Sequence, residues 1–271
     1  MINGIGATPE LSLRVSVATL VRVLVKLPGN GESILVLERN ATLYPSESGG
    51  VINVKSQPFG GAIRILDVNR MYDLIGDFHF DSERSVAEQD FRIFIKASSW
   101  ITVRNLCLQQ FNSADNFVLE TDPVRELTEE FEDALNVNLN PTQYWFKPVR
   151  TIVEDNPSTT QNIYAPGFPT VRIYRVFEVS IVDTFLIDTM IKNSQSFSNQ
   201  ALREIALEDA RRGGKGRANA ILVLPVKNLM GAYLALSPHE RNAPILFWEN
   251  QLDETVTALL DDITAPKYQR I

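Results

Sequence analysis

Residues Asp122 to Leu135 read DPVRELTEEFEDAL, and the reading of the whole chain turns on this stretch. Asp122 is a good helix N-cap, and Pro123 suits the first helical position, where no amide donor is needed. Val124, Leu127, Phe131, Ala134 and Leu135 fall on one side at helical spacing, which predicts a core-facing stripe. Glu126, Glu129, Glu130 and Asp133 follow i, i+3, i+4, i+7 and share another face. The like-charge pairs Glu126/Glu130 and Glu129/Asp133 each cost roughly 0.2–0.5 kcal/mol on an isolated helix. No Lys or Arg at the following i+4 positions relieves them. Clustered hard oxygen ligands on a rigid element are what Mg²⁺ or Mn²⁺ needs, usually with substrate phosphates. The plainer alternative is a solvated acidic face.

Upstream, Val15, Val17, Thr19, Val21, Val23 and Val25 are β-branched at every second position, predicting a strand with one face in the core. A turn-rich loop at Leu27-Pro28-Gly29-Asn30-Gly31 leads to a second strand at Ile34 to Leu37. Further strands are expected at Val51 to Lys55, Ala62 to Leu66, Phe91 to Lys96 and Trp100 to Cys107. Their spacing predicts a mixed or antiparallel sheet rather than βαβ units. The first helix is expected at Asp122. Strands return at Tyr144 to Glu154 and Thr170 to Val182, around a surface loop from Asp155 to Pro169 rich in Pro, Asn, Ser, Thr and Gly. A helix from about Ser198 to Arg212, a strand at Asn219 to Val226, and helices near Lys227 to Leu236 and Asp253 to Asp262 close the chain. The expected class is α+β, with helices on a curved sheet.

The chain has 271 residues, enough for one large domain or two small ones. Its 26 Lys and Arg against 33 Asp and Glu leave a formal charge of −7. That argues against a general nucleic-acid binder, which needs a basic face. It leaves small phosphorylated ligands open, because a metal ion reverses the local sign. The single cysteine, Cys107, excludes an intrachain disulfide and Cys-type zinc sites. The apolar stretch from Leu11 to Lys26 is interrupted by Arg14 and Arg22 and is too short to span a bilayer. A soluble cytoplasmic protein with no membrane partner is expected.

Arg125-Glu126-Leu127-Thr128-Glu129-Glu130 resembles the core of the Nudix box, G-x5-E-x7-R-E-U-x-E-E-x-G-U with U aliphatic. The preceding chain is similar too: a long strand, a hairpin, then Gln57-Pro58-Phe59-Gly60-Gly61-Ala62, like the Pro-Gly-Gly that opens the box. Asp67 stands at the family's first acid, and Val68 to Val124 lie where the family has seven residues. Glu132 and Asp133 occupy the Gly and aliphatic positions, so the helix is expected to continue. The resemblance implies a Nudix-like α/β/α sandwich with a mixed, curved sheet and additional C-terminal helices. Residues 1–182 would form the core, with an insertion at about 68–121, and 183–271 a C-terminal extension completing or capping the same domain.

In function, the resemblance implies hydrolysis of a pyrophosphate bond in a nucleotide or nucleoside diphosphate derivative, with Mg²⁺ or Mn²⁺. Glu129 and Glu130 would be metal ligands, with Glu126 and the Gly61 carbonyl. Arg125 would orient Glu126, and Glu126 or Glu130 would help activate water. A homodimer is implied as well. The alternative is a Nudix-fold module that has lost hydrolysis and senses a nucleotide or contacts a partner. In a third reading the acidic helix is merely solvated.

Other residues stand beside these as candidates. Glu204 and Glu208, four apart on a predicted helix, are possible extra acids or simply exposed helix residues near Arg203, Arg211 and Arg212. The run Arg211-Arg212-Gly213-Gly214-Lys215-Gly216-Arg217 offers Arg211, Lys215 and Arg217 to a phosphate, without P-loop spacing. A helix stop with basic residues at its C-terminus is the alternative. Tyr44, Phe59, Trp100, Tyr144 and Trp145 are stacking candidates or core residues. His79 and His239 have no nucleophile signature beside them. Cys107 is expected as a buried, inert thiol in a strand.

Overall fold

The computed structural model describes residues 12–27, 31–44, 50–113, 118–159, 165–237, 240 and 244–264. The turn at 28–30, residues 160–164 of the expected loop, and His239 lie outside them. The architecture is mixed α+β, an open, mixed sheet of ten strands with eight α-helices among the described residues. The chain divides into two compact units. The first comprises the described parts of Met1–Leu20, Gly60–Val124 and Pro148–Phe177, and the second those of Val21–Phe59, Arg125–Lys147 and Glu178–Ile271.

In the first unit, the N-terminal half of β1 (Leu13–Lys26) pairs antiparallel with β5 (Arg92–Ile95), with Val15 opposite Ile93. Strand β4 (Phe78–Phe80) pairs on β5. Helices α1 (Val68–Ile75), α2 (Glu83–Glu88) and α3 (Trp100–Asn112) pack with them around Val15, Val17, Ile65, Phe78, Phe91 and Ile93. Residues 68–121 carry three helices and much of this hydrophobic core. Two strand expectations fail here. Trp100 to Cys107 is helical, because Trp100, Val103, Leu106, Cys107, Gln110 and Phe111 are buried at helical spacing despite the β-branched composition. Cys107 is therefore a helix residue, fully buried, with its thiol pushed up by burial. Ala62 to Leu66 makes only isolated bridges, Ala18 to Ala62, Arg64 to Asp90 and Ile65 to Leu119. In β6 (Tyr144–Thr159), which pairs with β7 (Pro169–Ile181), the expected loop is strand as far as Thr159. Trp100 Nε1 donates to Asp155, and Arg172 reaches Glu154 and Ser158, which hold that stretch.

Strand β1 is buried on both faces, so one-face burial does not hold. Arg14 on the second face is 3% exposed and donates to Asp81 through Nε at 2.9 Å and Nη2 at 2.6 Å. Asp81 also accepts from the Ser82 and Ser85 hydroxyls, so both carboxylate oxygens of the buried pair are hydrogen-bonded.

The second unit is organised by β2 (Ser33–Tyr44). One edge carries β8 (Arg217–Pro225) from Ile34 to Thr42. The other is shared by β1, opposite Ser33 to Val36, and β3 (Val51–Gln57), opposite Glu38 to Tyr44. Strand β10 (Asn250–Leu252) joins β3 in parallel, and β9 (Ile245–Phe247) pairs on it. Helix α4 (Val124–Leu135) precedes β6, and α5 (Thr184–Ser196) and α6 (Asn199–Arg211) follow β7. The far edge of β8 is closed by α5: Asn193 Oδ1 accepts from the Ile221 amide at 2.8 Å and Ser194 Oγ from the Val223 amide at 3.0 Å. Helices α7 (Val226–Ala235) and α8 (Glu254–Thr264) lie as the sequence predicts, within a few residues. No described helix is long and apolar enough to cross a membrane.

Gly60 is required by geometry. Its φ is +126°, and a Cβ there would stand 2.1 Å from the Thr19 carbonyl oxygen. Gly60→Ala is expected to lower stability by more than about 3 kcal/mol, from strain and forced backbone movement. Urea unfolding checks this; a change within about 0.5 kcal/mol would show that the close approach is not needed.

Candidate functional site

Helix α4 starts where Asp122 Oδ1 accepts the Val124 amide at 2.9 Å, the N-cap bond expected of that residue. Leu127, Phe131 and Ala134 are buried, and the Phe131 ring lies 4.8 Å from that of Phe59. The aromatic residue of Gln57-Pro58-Phe59 is therefore what the apolar face of α4 packs on. The helix runs through Glu132 and Asp133 to Leu135 and stops at Asn136, which has φ +54° and donates its amide to the Glu132 carbonyl at 2.7 Å. Asn193 Nδ2 donates to the Ala134 carbonyl at 3.4 Å.

With the apolar face seated, Glu129 and Asp133 face solvent while Glu126 and Glu130 are partly buried. Arg125 Nη1 lies 2.7 Å from Glu126 and 3.4 Å from Glu129. Arg125 thus offsets, from the N-terminal side, the repulsion that no following cation relieves. The Glu126 side chain is 14% exposed and that of Glu129 58%. Glu130 is half-buried and Asp133 exposed.

Among the described residues, no three His, Cys, Asp or Glu side chains converge as a group able to hold a metal ion. Glu129 and Glu130 still have the donor chemistry of Mg²⁺, which commonly takes one or two carboxylates and completes its shell with water and substrate phosphates. The donor set fits a cation shared with a ligand and does not fit a closed protein cage. Gly61, expected as a carbonyl ligand, belongs to the first unit, and its oxygen accepts the Thr19 amide at 2.9 Å.

The remaining candidates separate clearly. Phe59, Trp100 and Tyr144 are core residues, while Tyr44 and Trp145 are exposed. His79 is half-buried in β4. Glu204 is exposed and accepts from Gln200, and Glu208 pairs with Arg211 and Arg212. In the basic run, Asp209 Oδ2 accepts the Gly216 amide at 2.8 Å and the Arg217 amide at 3.3 Å. The loop's own carboxylate thereby engages amides that an anion would use. The Arg211, Lys215 and Arg217 residues are exposed.

Sequence reasoning passed over Glu38. It lies on the β2 face that carries Ile34 and Val36, both clustered with Leu127 and Phe131. It is 3% exposed, and its Oε2 accepts from Asn40 Nδ2 at 2.7 Å and Gln57 Nε2 at 3.1 Å. No cation pairs with it among the described residues. Burial raises its pKa above the usual carboxylate range; the two amide donors oppose this, and the Asp133 charge adds to it. The signal in sequence was a lone acid within the apolar run Ile34-Leu35-Val36-Leu37, cut short by Glu38.

No protein-family model, curated protein or solved structure matches this chain.

A carboxyl whose pKa is raised on folding favours the folded state most fully below its unfolded pKa, about 4.3 for Glu, and that advantage is lost as pH rises through the folded value. Glu38→Gln is therefore expected to gain stability relative to the parent as pH rises above about 4.3, by about 1.4 kcal/mol for each unit by which folding shifts the carboxyl. Urea titrations of both proteins across acid to neutral pH measure this. A difference flat with pH would show that Glu38 titrates as it does in the unfolded chain.

Proposed function

We propose that the protein is a divalent-metal-dependent hydrolase of a pyrophosphate bond in a nucleotide or nucleoside diphosphate derivative, with its reacting groups on α4. The observation that carries this reading is the Arg125–Glu126 ion pair on a helix whose opposite face is seated on Phe59. It matches the orienting role that the resemblance implies for Arg125. Glu129 and Glu130 would hold Mg²⁺ or Mn²⁺. When bound, such an ion neutralises pyrophosphate charge and lowers the pKa of its water.

The chain's own groups have separate tasks. Arg125 keeps Glu126 in place, so Glu126 can accept a proton from water without first giving up solvent. Phe131 on Phe59 keeps the helix from rotating its acids inward. Arg211, Lys215 and Arg217 are exposed cations in an acidic chain and suit long-range attraction of a phosphorylated ligand. A homodimer and a cytoplasmic setting belong to the same proposal.

A second reading, a nucleotide-sensing or protein-interaction module without turnover, is favoured by one observation: no three ligating side chains converge among the described residues.

A pyrophosphatase screen separates the two. Nucleoside triphosphates, ADP-ribose, NAD(H), dinucleoside polyphosphates and nucleotide sugars are offered with Mg²⁺ or Mn²⁺ to the parent and to Glu129→Gln/Glu130→Gln. Turnover that falls about a hundredfold or more in the double variant, about 2.7 kcal/mol of barrier, is the expected result. No turnover by folded protein, with nucleotide-dependent thermal stabilisation retained, would replace the hydrolase with the sensor.

A further inference from the structure

We propose that Glu38, Asn40 and Gln57 form a hydrogen-bonding subsite for the uncharged base or ribose of a nucleotide whose phosphates lie against the α4 acids, an inference that rests on the reading of α4 given above.

Glu38 and Gln57 are direct cross-strand partners on β2 and β3, and Asn40 is two residues along β2 on the same face. Their hydrogen bonds leave a defined set of free atoms. Asn40 and Gln57 both donate to Glu38 Oε2, while Oε1 accepts nothing among the described residues. The carbonyl oxygens of Asn40 and Gln57 also accept nothing there, and both side chains are half-buried rather than sealed.

Burial without a cation raises the pKa of this carboxyl and so favours its protonated form. Oε2 already receives two N–H groups, so in the protonated form the O–H lies on Oε1. The subsite then presents one O–H donor and two carbonyl acceptors. Asp133 on α4 is the charged group that acts on Glu38, and it repels phosphate from this position. Gln57 offers no charge from β3, and Ile221, the cross-strand partner on β8, is apolar. The arrangement suits a neutral donor–acceptor edge and is unsuited to an anion.

The test is calorimetric titration, with Mg²⁺, of inorganic pyrophosphate and of ADP, GDP, CDP and UDP. The ratio of nucleotide to pyrophosphate affinity within one variant cancels any change in phosphate binding or stability. The parent is expected to bind at least one nucleoside diphosphate about tenfold more tightly than pyrophosphate, because buried polar groups discriminate against a ligand that leaves them unpaired. Glu38→Ala is expected to bring that ratio within about twofold of unity. Glu38→Gln, whose amide accepts at one atom and donates at the other, restores it. Should Glu38→Ala not fold, Gln57→Ala carries the test, with the ratio falling about threefold or more. A ratio near unity in the parent, one that survives Glu38→Ala, or one abolished equally by Glu38→Gln overturns the subsite while leaving α4 intact. Binding of neither pyrophosphate nor any nucleotide overturns the α4 reading and the subsite together.

Discussion

One close approach of backbone to backbone fixes the chain beside β1. The Thr19 carbonyl of β1 occupies the place where a side chain on Gly60 would begin. On either side of that point the chain is tied to β1: the Val21 amide donates to the Phe59 carbonyl at 2.7 Å, and the Thr19 amide to that of Gly61 at 2.9 Å. Phe59 is held by this pairing, and Phe131 of α4 stacks on it. A side chain at position 60 would have to displace the Thr19 backbone. Glycine here serves contact rather than flexibility.

Charge is handled inside the molecule in three ways, and the contrast isolates Glu38. Arg14 meets Asp81, whose two oxygens are both hydrogen-bonded. Arg22 is 5% exposed, reaches Glu178 at 2.7 Å and also donates to the Leu259 carbonyl. Arg39 donates to the Phe197 carbonyl at the end of α5, where the helix's unpaired carbonyls favour a cation. Glu38 alone among these has only neutral amides. Burial without a cation raises its pKa, which favours the protonated form. The Asp133 charge on α4 raises it further.

Much of this was legible from periodicity. The β-branched alternation from Val15 to Val25 located β1, and Asp122-Pro123 with the apolar stripe located α4 to within its cap. The misses have physical causes. Trp100 to Cys107 is rich in residues that favour strands, but its burial repeats at helical spacing, and packing outweighed propensity. Strands β9 and β10 were hidden because Trp248 and Glu249 form their two-residue turn, at φ +45° and +65°, where Asn or Gly is usual. Both-face burial of β1 was invisible because Arg14 and Arg22 look like solvent residues until Asp81 and Glu178, far along the chain, are placed. The acidic face of α4 could be read from spacing alone. Glu38 could not, since its importance comes from the absence of a cation in a fold not yet known.

The central claim is that the α4 carboxylates share a divalent ion with a phosphorylated ligand. The most direct measurement is Mn²⁺ binding followed by electron paramagnetic resonance, with and without inorganic pyrophosphate, in the parent and in Glu129→Gln/Glu130→Gln. The account predicts that pyrophosphate raises the parent's Mn²⁺ affinity about tenfold or more beyond the affinity of Mn²⁺ for pyrophosphate alone, about 1.4 kcal/mol of coupling, and that the double variant loses this gain. Equal Mn²⁺ uptake by both proteins, or uptake indifferent to pyrophosphate, would contradict it.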